Sequence, residues 1–201
     1  MALRTGGLGV YGGVEYDPVR RTVTLRPNSN EVRPGLQYVL TVTDGVRGWD
    51  GSALAGPFAM TLRAGPRQSP PGPRQTPSLA REVGPLLAQR CAAATCHGGP
   101  SPSMGLDLST PEALRRTTLL VPARQRPEGP WVRSAPRWGA LPRIDPGVAE
   151  GQGRPAMSYL VYKLLGDGPI AGERMPPGPE GLSLEEVDLV ARWIAAGAPD
   201  N

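Results

Sequence analysis

The sequence predicts a multidomain protein: an all-β N-terminal part, a spacer, and an all-α C-terminal part with long loops. Three observations carry this. Alternating runs rich in β-branched residues fall within residues 1–64, and apolar residues at helical spacing recur from Ser78 onward. Between them, Gly65 to Pro77 is so dense in proline that it can neither pair in a sheet nor continue a helix. The expected domains are therefore 1–64 and 78–201, with 65–77 as a semi-extended linker.

In the first part, Thr22-Val23-Thr24-Leu25 and Tyr38-Val39-Leu40-Thr41-Val42 alternate in polarity, and Met60-Thr61-Leu62 gives a third candidate strand. The breaks carry Asn28, Asn30, Pro34-Gly35 and Asp44-Gly45, residues suited to turns. On its "PG", "YVLTVT" and "DG" motifs, the stretch Gly13 to Ala64 resembles a bacterial immunoglobulin-like domain of the surface-layer type. That resemblance implies a β-sandwich, here incomplete, because the family's first strands have no match ahead of Gly13. A sandwich that starts midway leaves an unpaired sheet edge, so the natural start is expected upstream of Met1.

In the second part, Leu79, Val83, Leu86 and Leu87 recur at helical intervals up to Arg90, and Pro85 predicts a kink or restart. Ala156 to Leu165 forms a second helix, with Met157, Leu160, Val161 and Leu164 on one side and Gly166 placed to end it. The last helix has the clearest boundaries. Ser183 and Glu186 make a capping box, Leu184, Val187, Val190, Ala191 and Ile194 form the face expected to be buried, and Gly197 ends it.

Composition excludes several function classes. Glycine (27) and proline (25) make about a quarter of 201 residues, so long loops are expected. The net charge is only +4, and Lys163 is the sole lysine among arginines, which gives little reason to expect nucleic acid. No run approaches the roughly 18 apolar residues of a membrane span.

The chemistry concentrates in Cys91-Ala92-Ala93-Ala94-Thr95-Cys96-His97. Two thiols followed at once by a histidine is the arrangement that attaches c-type haem: each sulfur adds to a vinyl group, and the adjacent imidazole is held beneath the iron. The spacing is four residues where two are usual, so Ala92 to Thr95 must bulge. Two cysteines this close also suit a disulfide in an exported, haem-free structural module, or free thiols. Neither alternative requires a histidine after Cys96, and His97 is the only histidine in the chain. A zinc site lacks a fourth ligand.

Three methionines compete as a second iron ligand. Met157 suits core packing on a helix, Met104 follows His97 by only seven residues, and Met175 precedes Pro176-Pro177, which restrict how its thioether swings.

The segments "LLAQRCAAATCHGG", "GLDLS", "SYLVYKLLG", "RMPPG" and "LSLEEVDLVARWIAAGAPD", in that order over Ser78 to Asn201, resemble planctomycete-type class I cytochrome c domains. The resemblance implies haem c covalently attached through Cys91 and Cys96, His97 as the proximal ligand and Met175 as the distal one. Two protein ligands leave no open coordination position, so the implied role is electron transfer between redox protein partners rather than enzymatic turnover. Leu106, Leu108, Tyr159, Leu164 and Trp193 are candidates for the apolar wall around the cofactor. Attachment of such a haem takes place outside the cytoplasm, which implies a periplasmic or cell-surface location. Met1 to Gly7 lacks an apolar export signal, a second reason to expect an upstream start.

The family pattern is interrupted at about 122–147, which holds Trp131, Trp138, six prolines, Arg124, Arg126, Arg133 and Arg137. A loop of this length suggests a cover for the haem edge, a source of arginines for the propionates, a docking site for a partner, or a solvated insertion.

Overall fold

The computed structural model describes residues 2–28, 31–48, 51–66, 75–125, 141–168 and 170–201. The chain divides into two compact units, one of residues 1–17 and 22–74, the other of residues 18–21 and 75–201.

The first unit contains β1 (Ala2–Thr5), β2 (Leu8–Val10), β3 (Gly12–Asp17), β4 (Thr22–Pro27), β5 (Gln37–Val42) and β6 (Phe58–Arg63). β2, β1, β5 and β6 form one antiparallel sheet in that order, while β3 and β4 pair only with each other. The register places Leu3 opposite Leu40, Tyr38 opposite Leu62 and Leu40 opposite Met60, so one sheet face is apolar. Among the described residues of this unit, Leu3 and Tyr38 are the buried hydrophobic side chains. The Tyr38 hydroxyl accepts the Arg33 amide at 2.8 Å, which satisfies its polar end.

The second unit begins with a π-helical turn, Leu79–Val83, that runs into α1 (Gly84–Cys91). The backbone stays helical through Val83 and Gly84, and Pro85, which has no N–H to donate, sits where the π-helical turn gives way to α1. Ser78 caps the entry: its Oγ accepts the Arg81 amide at 3.2 Å, and the Leu79 amide donates to Asn201 Oδ1 at 2.8 Å. α2 (Pro111–Thr118) starts on Thr110, whose hydroxyl accepts the Ala113 amide at 3.1 Å. α3 (Tyr159–Leu165) follows a single 3₁₀ turn at Pro155–Met157 and ends at Gly166 in the left-handed region. α4 (Leu184–Ala195) carries the predicted capping box, with both Ser183 and Glu186 bonds formed.

These helices enclose one apolar core, with Val83 and Leu87 meeting Leu114, Val161, Leu164, Val190, Trp193 and Ile194. Trp193 lies inside it, and its Nε1 donates to the Pro199 carbonyl at 2.9 Å. Each aliphatic side chain buried this completely contributes roughly 1.5–3 kcal/mol of transfer free energy.

The expected fold class is corrected. Among the described residues, 27% are helical and 22% lie in strands, with two small sheets. The sheets do not form the expected immunoglobulin-like sandwich, and a mostly α second domain of class I cytochrome c type is not seen. Too few buried side chains, Leu3 and Tyr38, are present to hold two sheets face to face. Among the described residues of the second unit, the four α-helices have 8, 8, 7 and 12 residues. Glycine and proline break the chain between them.

Smaller differences have local causes. The expected strands at Thr22, Tyr38 and Met60 are present and longer than their apolar cores, whereas β1, β2, β3 and α2 were not expected. Leu184, assigned to the buried face of α4, is 61% exposed because it occupies the first turn, before the helix reaches the core. Asn30, most of the proline spacer, and Arg126, Trp131, Arg133, Arg137 and Trp138 lie outside the described residues.

The revised face of α4 is checked by paired substitutions. Ile194→Ala, at a fully buried position, should cost about 2–5 kcal/mol, whereas Leu184→Ser should cost less than about 0.5 kcal/mol. Urea unfolding followed by helical circular dichroism measures both, and equal losses would show that Leu184 does pack.

Candidate functional site

The cysteine–histidine run leaves the end of α1 and folds back on itself. The Cys91 carbonyl accepts the His97 amide at 3.1 Å, and the Ala93 carbonyl accepts the Cys96 amide at 2.8 Å. Ala93, Ala94 and Thr95 bulge into solvent between these bonds. Gly98 permits the closure: a Cβ there would stand 2.2 Å from the Ala92 carbonyl oxygen, well inside contact distance. The next segment is pinned underneath, since the Cys96 carbonyl accepts the Ser103 amide at 2.7 Å and the His97 carbonyl accepts the Leu108 amide at 2.8 Å.

This loop forms one wall of a cavity of about 400 Å³. That volume lies in the range of roughly 300–1,000 Å³ usual for small-molecule and cofactor sites. Cys91, Cys96 and His97 line it from α1 and the loop, Leu106 and Leu108 from the following segment, Tyr159 and Leu164 from α3, and Met175 with Pro176 and Pro177 from the loop before α4. Eight of the nine residues singled out in the sequence therefore face one space. Trp193 is the exception, because α4 turns it into the core behind that wall.

Both cysteines are free thiols. Burial pushes the Cys91 thiol up to about 11, more than Arg90 beside it lowers it, so Cys91 is a neutral thiol at neutral pH. Burial holds the His97 imidazole below its ordinary range; the Leu106 and Ser103 backbone groups oppose this, while Arg143 and Lys163 add to it. Those backbone groups form no hydrogen bond with Nδ1, which is the one buried side-chain nitrogen or oxygen left without a partner among the described residues. A neutral imidazole is the form that ligates a metal.

The polar part of the lining is cationic. Arg90, Arg124, Arg143 and Lys163 face the cavity, and no carboxylate does among the described residues. Arg143 is 6% exposed and donates to the Gly105 carbonyl at 2.9 Å, the Thr117 carbonyl at 2.7 Å and the Met104 carbonyl. Burial, then the neighbouring Arg124, lowers its proton affinity. Lys163 is 7% exposed and donates to the carbonyls of Ala171 and Glu173. Arg90 reaches the Gly181 carbonyl.

Arg143 was missed in the sequence although it lies inside the 122–147 interruption. The base of that interruption is a short ladder, with Arg143 N–H bonded to the Val121 carbonyl at 2.7 Å and Ala123 N–H to the Leu141 carbonyl at 3.0 Å. The ladder brings Arg124 and Arg143 to the cavity from either end of the interruption. Gly98 and Lys163 were also passed over. Their signals were adjacency to His97 and the singularity of one lysine among arginines. Met104, set aside as too close to His97, does line the cavity, but it is 52% exposed.

Among the described residues, no group of three or more His, Cys, Asp and Glu side chains is arranged to hold a bare metal ion. The donors present, two thiols and an imidazole with a thioether from another loop, instead fit a haem that brings its own ring nitrogens to the iron.

The two thiols should separate in reactivity in haem-free protein. Cys96, the more exposed, should be alkylated first near neutral pH, and labelling of Cys91 should rise about tenfold per pH unit until its thiol ionises. Timed iodoacetamide labelling read by peptide mass spectrometry measures this; equal rates would contradict the burial of Cys91. In comparison with known proteins, no family model, no curated protein and no solved structure matches the chain.

Proposed function

We propose that this chain is an electron-transfer protein carrying a covalently bound c-type haem in the cavity beside α1 and α3. One observation carries the reading: Cys91, Cys96 and His97 line a single apolar cavity that Met175 enters from a loop remote in sequence. In this reading the Cys91 and Cys96 sulfurs would hold the haem as thioethers, and the His97 imidazole and the Met175 thioether would ligate its iron. When bound, the haem supplies an iron that changes by one electron, and the thioether favours its ferrous state.

The chain's own groups suit that occupant. Burial favours the neutral form of His97, and the loop that carries it closes at Gly98. Leu106, Leu108, Tyr159 and Leu164 exclude water and lower the local dielectric. Arg124 and Arg143, with no carboxylate facing the cavity, are placed to balance the two propionates. No described helix is long and apolar enough to cross a membrane. The expected partners are redox proteins, and the expected location is the periplasm or the cell surface, where thioether attachment is made.

Expression with a haem-maturation system, followed by haem staining after denaturing electrophoresis, should show haem that survives unfolding. A colourless product with Cys91 and Cys96 joined in a disulfide would sink the reading. In the loaded protein, Met175→Ala should abolish the sulfur-to-ferric-iron charge-transfer band and admit cyanide, whereas Met104→Ala should keep the band. The opposite pattern would assign Met104 as the ligand.

A further inference from the structure

The loop that carries Met175 has no regular structure of its own. Residues 171–175 lie between α3 and α4 in neither helix nor strand. Its position is set from one face of α3. The Ala171 amide donates to the Tyr159 hydroxyl at 2.9 Å, and the Lys163 ammonium donates to the Ala171 carbonyl at 2.9 Å and the Glu173 carbonyl at 2.7 Å. The Lys163 carbonyl in turn accepts the Met175 amide at 2.8 Å. Among the described residues, every backbone hydrogen bond of 171–175 recorded in the structure ends on Tyr159 or Lys163.

The identity of the residue at 163 is informative. Every other cationic side chain in the protein is an arginine. An ammonium is compact, sits on a flexible stem and turns its donors freely, so it reaches two carbonyls two residues apart inside a packed site; a planar guanidinium has a fixed fork. Burying such a charge is costly unless its donors are used, and here they are used on the one segment that bears the thioether.

We propose that Lys163, assisted by Tyr159, is the positioning residue that holds Met175 over the cavity, so that the thioether is pre-placed opposite His97. This rests on the haem reading above. Lys163 acts through the loop and does not itself touch the iron. Its removal should free the loop without removing the sulfur.

The test uses the full-length, haem-loaded protein and two variants, Lys163→Met and Tyr159→Phe. At equal haem content, Lys163→Met should lose most of the sulfur-to-ferric-iron charge-transfer band and bind cyanide about tenfold faster or more, as expected when a charged hydrogen-bond donor to the loop is lost. Amide hydrogen exchange should accelerate in 171–177 and remain unchanged in 184–195. Tyr159→Phe, which removes a single acceptor, should move all three readouts in the same direction by a smaller factor. If Lys163→Met does not accept haem, Tyr159→Phe decides by the same measures.

A lowered melting temperature with an unchanged band and unchanged cyanide binding would overturn the assignment, leaving Lys163 as a structural staple. The two proposals fail separately. Wild-type protein that takes up no haem removes the haem reading and this one with it, whereas haem-loaded wild type beside spectrally unchanged variants removes this one alone.

Discussion

Backbone carbonyls in irregular chain lack the donors that a helix or a sheet provides, and in the second unit two buried cations supply them. A helix or a sheet satisfies its own polar groups; the segments around the cavity are neither. Arg143 meets the carbonyls of Met104, Gly105 and Thr117, and Lys163 meets those of Ala171 and Glu173. The first set fixes the segment that runs under His97, and the second fixes the segment that ends in Met175. Without these donors each segment would have to remain hydrated or refold into regular structure, and the cavity would lose two of its walls. The long irregular segments of this unit are tolerable because side chains do the work of the missing ladders.

That solution has an electrostatic consequence. Taking a cation out of water costs several kcal/mol even after relaxation, and hydrogen bonds to neutral carbonyls offset only part of it. Burial accordingly lowers the proton affinity of both Arg143 and Lys163. With Arg90 and Arg124 on the same lining, the cavity combines apolar walls with positive charge. An occupant with a flat apolar body and acidic substituents meets both conditions, since it removes apolar wall from water and brings the counter-charge that the lining lacks. A bare metal cation meets neither.

The site was more legible in the sequence than the fold. Cys91, Cys96 and His97 stand out by spacing because the proposed attachment chemistry would constrain neighbours along the chain, and Met175 was marked by the two prolines after it. The residues that escaped notice act across the chain. Arg143 looks like one more arginine in a proline-rich loop until the ladder between 121–123 and 141–143 brings it inward. Gly98 matters only because the Ala92 carbonyl lies against it. Trp193 was expected in the cavity wall and was not among the residues that helix period put on the buried face of α4, yet α4 buries it in the core, because the face turned inward is wider than the apolar stripe read from the sequence. The fold failed at long range for the same reason. Local alternation gave β4, β5 and β6, while β1 and β2 are short strands around Gly6-Gly7, and pairing, not pattern, makes them a sheet.

The correction to the fold class leaves the functional proposal standing, because the two rest on different residues. The class depended on how much of residues 78–201 is helical and on whether two sheets stack. The proposal depends on a closed loop, a cavity and a thioether-bearing segment, each described by hydrogen bonds that do not presuppose any fold family. A site of this kind needs rigid supports more than a given architecture. Here the supports are α1, which ends on Cys91, and α3, whose Tyr159 and Lys163 hold the opposite loop. The two helices reach the cavity from sequence positions far apart and share the core of Val83, Leu87, Val161 and Leu164. Packing in that shared core therefore bears on the separation between His97 and Met175, so a core substitution there would reach the candidate site through the distance between the two residues proposed as ligands.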